Sequence, residues 1–267
     1  VGIDLETCDP TLKELGPGVR RGAYVVGVSF AFNDHQKYYL PMRHAGGGNL
    51  DETKVWAYVK DQFANYNGEL VGANLSYDLD YLLQAGVILA PEAKFRDVQI
   101  ADPLLYELHL SYTLQDISER WGLAGKDEAL LRSGAASWGV DPKAEMWKLH
   151  SGYVGAYAEE DAALPLAILE KQEKQIERDG LRQVWDLESR VLPCLVRMRR
   201  RGVRVDFDKL ARIEFWSLGE EIRAYGIVKE HTGIDISCVD LHKSDNLAPA
   251  LRAAGLDLKT TATGKTQ

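Results

Sequence analysis

The chain has 267 residues, 45% of them apolar and 27% charged, which is enough to bury a core and excludes a disordered tail. Its net charge of −8 is unevenly spread: residues 1–180 carry 28 acidic and 17 basic side chains, residues 181–267 carry 12 and 15. An acidic first part excludes simple binding to a phosphate backbone, unless cations sit among the carboxylates.

VGIDLE at 1–6 reads as a strand, with Ile3 and Leu5 on one side and Asp4 and Glu6 on the other. After the loop ELGPGVRRG, Ala23–Phe32 reads as a buried strand. Asn33–Asp34 makes a turn and Gln36–Leu40 returns as the second arm of a hairpin. HAGGGN at 44–49 is a loop. Asp51 caps a helix with Val55, Tyr58, Val59 and Phe63 at helical spacing. A short strand at Leu70–Ala73 precedes a helix through Asp78–Gln84 that stops at Gly86. DVQIADPLL holds a short strand or loop and a helix start, and TLQDISERWGL is a helix closed by Gly122. Residues 123–142, with Gly134 and Gly139, read as a loop region. Tyr153–Arg178 is helical up to Gly180, with Pro165 as a kink point.

This order predicts an α/β fold with a mixed sheet and a domain boundary near Gly180. Beyond it lie a helix over LRQVWDLESRVLPCLVRMRRRG, a short extended VRV, a helix from the cap Asp206 to about His231, and a last helix at about 244–254. No apolar run approaches the ~18 residues of a membrane span, and no N-terminal signal peptide is visible. Cys8, Cys194 and Cys238 are too few and too far apart for a disulfide framework or a cysteine zinc site.

Asp4 and Glu6, two apart on a strand, leave the same face, and such close like charges repel unless a cation lies between them. Asn74 and Asp78 lie four apart at a helix start, and Tyr157 and Asp161 lie four apart on the late helix, so each pair shares a face. Singly, each has a plain reading: a solvated strand face, an Asn N-cap with a surface Asp, and a half-buried Tyr beside the acidic run Glu159–Asp161.

Together, Asp-x-Glu on the first strand, Asn-x-x-x-Asp opening a later helix and Tyr-x-x-x-Asp on a late helix resemble the three motifs of the 3′–5′ exonucleases of the ribonuclease H-like superfamily. Over residues 1–180 the chain resembles the proofreading domain of family A DNA polymerases, in its tyrosine subtype. LESRVLPCLVRMRRRGVRVDFDKL resembles the segment leading from that domain into the polymerase thumb, and HTGIDISCVDLHKSDNLAPALRAAGLDLKTTATGKTQ resembles the thumb that follows. The family's Asn is replaced there, and Ile236–Ser237 is a rough match. The 87 residues after Gly180 are too few for a palm and fingers, so the chain is expected to be a fragment of a longer polymerase.

The resemblance implies a ribonuclease H-like mixed five-stranded sheet flanked by helices at 1–180, and a small, mostly helical start of the thumb at 181–267. It implies hydrolysis of DNA from its 3′ end with two divalent ions, Mg²⁺ or Mn²⁺, which as hard ions prefer carboxylate oxygens. Asp4, Glu6 and Asp161 would hold the first ion, Asp4 would bridge to the second, and Asp78 would lie nearby, partly through water. Tyr157 would orient the attacking water with Glu6, and Asn74 and Thr7 would lie by the terminal nucleotide. The implied partners are a single-stranded or frayed 3′ end and a polymerase domain of the same chain, in the cytoplasm of a bacterial or phage-infected cell and with no membrane. A ribonuclease D-like RNA exonuclease shares the motifs but carries a different tail. A non-catalytic DNA-binding domain would lack carboxylates that are all present here.

Other features carry less. GKT at 264–266 lacks the earlier Gly of a phosphate-binding loop, since position 259 is Lys. His44 and Gly46–Gly48 read as a hairpin-exit loop, His109 and His150 lack metal spacing, and Trp121, Trp138 and Trp147 read as packing residues. Arg197, Arg199, Arg200, Arg201 and Arg204 read either as a solvated face or as a grip on duplex phosphates.

Overall fold

The structure is a computed structural model and describes residues 1–33, 35–233, 235, 244–253 and 255–259. Ile236–Ser237, Cys238 and the GKT at 264–266 lie outside the described residues, as does Asp34 of the hairpin turn. The elements run β1 (Gly2–Cys8), α1 (Leu12–Leu15), β2 (Tyr24–Ala31), β3 (Lys37–Pro41), α2 (Glu52–Asn65), β4 (Glu69–Gly72), α3 (Leu75–Gln84), β5 (Lys94–Asp97), α4 (Val98–Leu105), α5 (Leu114–Arg120), α6 (Ala129–Trp138), α7 (Ser151–Arg178), α8 (Arg182–Arg201), α9 (Phe207–Thr232) and α10 (Ser244–Ala253). A single 3₁₀ turn at Met146–Lys148 leads into α7.

The five strands form one mixed sheet in the order β3-β2-β1-β4-β5. β1 is antiparallel to β2 and parallel to β4, so the chain's direction of winding switches beside β1. In open α/β sheets, ligands bind at the carboxyl ends of strands beside such a switch. The β1–β2 register slips between Glu6 and Thr7, with Glu6 opposite Gly27 and Thr7 opposite Val25. Irregularities of this kind re-aim side chains next to sites.

Alternation along β1 sends Ile3 and Leu5 into the core with Val28, Phe30, Val59, Leu75, Leu79 and Phe95, and Leu192 and Val196 of α8 join it. The opposite face is not solvated. α7 crosses β1, β2 and β3 there, and Glu6 is buried with it. Gly2 makes that approach possible, since a Cβ at this position would stand 2.0 Å from the carbonyl oxygen of Ala162. α7 continues through Pro165, whose ring removes the N–H that would have bonded the carbonyl of Asp161.

Two expectations need correction. Residues 123–142 are not all loop, because α6 spans Ala129–Trp138. Gly134 lowers its intrinsic helicity, but a Cβ there would meet the Tyr153 ring at 2.6 Å, so the glycine is where α6 and α7 touch. Leu131 and Ala135 fill that contact with Val154, Tyr157 and Ala158. The first compact unit also extends past Gly180, over Val1–Gly202. Gly180 stops α7, but the next helix folds back: Trp185 is fully buried, Arg96 reaches Asp186 at 2.9 Å, and Arg199 and Arg200 pair with Asp80 of α3, each at 2.9 Å. Those two arginines therefore join helices. In the second unit, Val203–Gln267, Val203–Val205 form no strand, Asp206 caps α9 by accepting from the Lys209 N–H at 2.9 Å, and α10 packs on α9. Among the described residues no helix is long and apolar enough to cross a membrane.

The start of α3 is held from a distance. Asp97, at the end of β5, accepts from the backbone N–H groups of Asn74 (3.1 Å), Leu75 (2.8 Å) and Gln99 (2.9 Å) and is buried. One carboxylate thus satisfies donors at the starts of both α3 and α4. Asp97→Ala should lower stability by about 2–4 kcal/mol in urea unfolding, because it strands buried donors. A loss below about 0.5 kcal/mol would show that water replaces the carboxylate.

Candidate metal and nuclease site

β1 delivers Asp4 and Glu6 to the face covered by α7, and α7 delivers Asp161 from the other side. Oxygens of these three carboxylates lie within 4.8 Å of one another. Asp78 comes from the first turn of α3 and is buried beside them, with its Oδ1 accepting from the Leu5 N–H at 3.2 Å. The four carboxylates thus meet although they come from three separate elements.

The electrostatics are unfavourable without a cation. Burial and then the Asp161 charge push Asp4 up to about 7. Burial, followed by Asp4 and Asp161, raises Glu6 well above the usual carboxylate range. Burial and then Asp4 do the same to Asp78. Burial raises Asp161 too, and the ammonium of Lys126 opposes that shift. Glu6 Oε1 is a buried acceptor without a hydrogen-bond partner, and Asp161 Oδ1 is met by the ammonium of Lys126. A hard acceptor left without a partner among converging carboxylates is what a Mg²⁺ or Mn²⁺ ion requires, so the residues fit a divalent metal.

Tyr157 lies one turn before Asp161 and is buried among Leu131, Ala135, Met146 and Leu149. Burial, then the charges of Asp161 and Glu6 and a hydrogen bond to Asp161, raise its pKa, so the phenol stays protonated and acts as a donor. Asn74 is exposed and takes a left-handed backbone, φ 62°, ψ 41°. It is not a side-chain cap. Its Oδ1 accepts from Ser76 Oγ at 3.1 Å, and the capping role falls to Asp97. Thr7 Oγ1 is 2.7 Å from Tyr77 Oη, and Tyr81 Oη donates to Asp9 at 2.8 Å. The Thr7 hydroxyl is thus tied to α3, next to the carboxylates.

Two residues escaped the sequence reading. Asp97 could have been suspected from its place between a strand and a helix. Lys126, whose ammonium pairs with Asp161 and lies 5.1 Å from the centre of the Tyr157 ring, sits in a segment with no periodicity and gave no signal. His44 is in the expected loop, but it is buried and bonded to Tyr39 Oη at 2.6 Å.

No family model matches the sequence. A DNA-directed DNA polymerase of Pseudomonas phage M6 is 51% identical over 267 residues, which is 99% of this chain and 40% of that polymerase. The chain thus spans about two fifths of that relative's length. The fold is similar to the POL domain of Pol1 from M. smegmatis in complex with a DNA primer-template and dNTP, with a TM-score of 0.61 and 15% identity over 100% of this chain and 40% of that one. It is also similar to Brucella melitensis NrnC with bound Mg²⁺, with a TM-score of 0.52 and 16% identity over 75% of this chain and 84% of that one. With the sheet order, the carboxylate cluster and the phage polymerase all in agreement, the chain belongs to the DNA polymerases, as their exonuclease-domain region.

Proposed function

We propose that this chain is a 3′–5′ exonuclease that removes nucleotides from DNA 3′ ends, in the tyrosine subtype of its superfamily, and that it edits primer ends for a polymerase region of the same longer protein. The observation that carries this reading is the cluster of Asp4, Glu6 and Asp161, with Glu6 Oε1 buried and without a partner. Asp4, Glu6 and Asp161 would hold one divalent ion, and Asp4, with Asp78 partly through water, a second. Bound there, the ions would offset the charge that develops on the scissile phosphate and on the leaving 3′ oxygen.

The remaining work falls to the chain's own side chains. Glu6 and the protonated Tyr157 hydroxyl would orient the attacking water, the phenol as donor and the carboxylate as acceptor. Exposed Asn74 and half-buried Thr7 would hold the terminal nucleotide. A paired end must open before it can reach carboxylates this deep in the fold, at a cost of a few kcal/mol. Water adds to phosphorus, the P–O3′ bond breaks, and a nucleoside monophosphate leaves.

Three outcomes are expected. With oligonucleotides labelled at either end, product ladders should shorten from the 3′ end, faster for single-stranded or frayed DNA than for matched duplex. A ladder shortening from the 5′ end, or faster loss of RNA than of DNA, would overturn the assignment.

Asp4→Asn should abolish EDTA-sensitive cleavage yet stabilise the metal-free chain at pH 8, by on the order of 2 kcal/mol after allowance for the Lys126 counter-charge. The sign follows from a folded-state pKa raised above the unfolded one. The stability held by protonated Asp4 is full near pH 4 and is lost as pH rises through about 7, so the variant's advantage should shrink toward pH 5. Urea unfolding in EDTA at the two pH values measures it, and an equal advantage at both would refute the electrostatic origin.

Tyr157→Phe should slow single-turnover cleavage by about 10²-fold while leaving Mn²⁺ affinity nearly unchanged, because only a positioning hydroxyl is lost. Asp161→Ala should weaken Mn²⁺ binding itself. Equal losses of affinity would place Tyr157 in the support of the ligands instead.

A further inference from the structure

The loop between α5 and α6 sends one cation into the carboxylate cluster. Lys126 comes from none of the elements that carry the carboxylates, yet its side chain is 12% exposed and its ammonium pairs with Asp161 Oδ1, whose side chain is 9% exposed. The ammonium also lies 5.1 Å from the centre of the Tyr157 ring, a second attraction for a cation. Its charge acts on Asp4 and Glu6 as well as on Asp161. It therefore stands where those three carboxylates converge.

Asp161 is also one of the three carboxylates that a divalent ion would need. One carboxylate oxygen cannot hold an ammonium at contact distance and an inner-sphere metal together, since the two cations repel and crowd each other. Lys126 can leave without disturbing the sheet. It sits on a connecting segment, at 123–128, with regular structure only on either side, and its long, flexible stem lets the ammonium swing away. The neighbouring cation, Lys143, is already paired with Glu128 at 2.9 Å.

We infer that Lys126 is an internal counter-cation that occupies Asp161 in the metal-free chain, competes with the divalent ion for that carboxylate, and is displaced when the ion binds. The inference rests on the metal-site reading above and adds to it a residue that sets the metal affinity. It predicts that apparent affinity is lower than the carboxylates alone would give, by the share of the chain in which the ammonium holds the site.

Calorimetric titration of the whole chain with Mn²⁺, without nucleic acid, tests this. Lys126→Met should bind Mn²⁺ about tenfold or more tightly, because the competitor is gone. Lys126→Arg, which keeps the charge, should stay near wild type or below. An unchanged or weakened affinity in Lys126→Met would overturn the inference.

A second measurement needs no variant. The acetylation rate of Lys126 in the wild-type chain, followed by mass spectrometry against exposed Lys54, should rise several-fold when Mn²⁺ is present. An equal rate with and without Mn²⁺ would overturn it. Absence of Mn²⁺ binding to wild type and both variants would instead remove the metal-site reading, and this inference with it.

Discussion

Four carboxylates gathered about the middle of β1, three of them with oxygens within 4.8 Å, are a standing electrostatic conflict. Burial raises all four pKa values and mutual repulsion adds to the shift in Asp4, Glu6 and Asp78, so a fold that tolerates the cluster must restrain it from several sides. Hydrophobic packing does this. On one face of the sheet Ile3 and Leu5 are locked among α2, α3 and α8; on the other, Leu131, Val154, Tyr157 and Ala158 clamp α6 to α7. The chemistry-bearing residues of β1 and α7 thus lie between two apolar layers that cannot shift independently.

The same constraint accounts for features that look incidental along the chain. The lack of a Cβ at Gly2 lets α7 come close enough for Asp161 to meet Asp4. The register slip after Glu6 falls where the strand must stop pairing evenly and present side chains. Asp97 spends a buried carboxylate on the start of α3, which holds Asp78 against the Leu5 N–H. In each case a local departure from ideal geometry serves the placement of a carboxylate rather than the stability of its own element.

The acidity of residues 1–180 takes on a different meaning in this light. An acidic surface repels a nucleic acid, whereas an acidic cluster that collects cations attracts it locally. The electrostatic state of the site is therefore set by which cation it holds, and Lys126 shows that the chain carries a candidate of its own. Part of the arginine run is already committed: Arg199 and Arg200 answer Asp80 inside the first compact unit.

Local periodicity determined much of this protein from the sequence alone. Period-two alternation marked β1, an apolar run followed by the Asn33–Asp34 turn marked the β2–β3 hairpin, Asp51 and Asp206 marked two helix starts, and spacings of two and four put Asp4 with Glu6, Asn74 with Asp78 and Tyr157 with Asp161. These signals depend only on backbone geometry within a few residues. What tertiary structure alone decided lies between distant segments. Gly134 suggested a loop, but the Tyr153 ring needs the space a glycine leaves, and α6 forms because packing outweighs propensity. Gly180 suggested a domain boundary, but burial of Trp185 draws α8 back onto the first unit. Asn74 suggested its own cap, and Asp97 took that role across two strands. Lys126 belongs to no pattern at all, since a single long side chain from an irregular segment finds its partner only after the chain has folded around it.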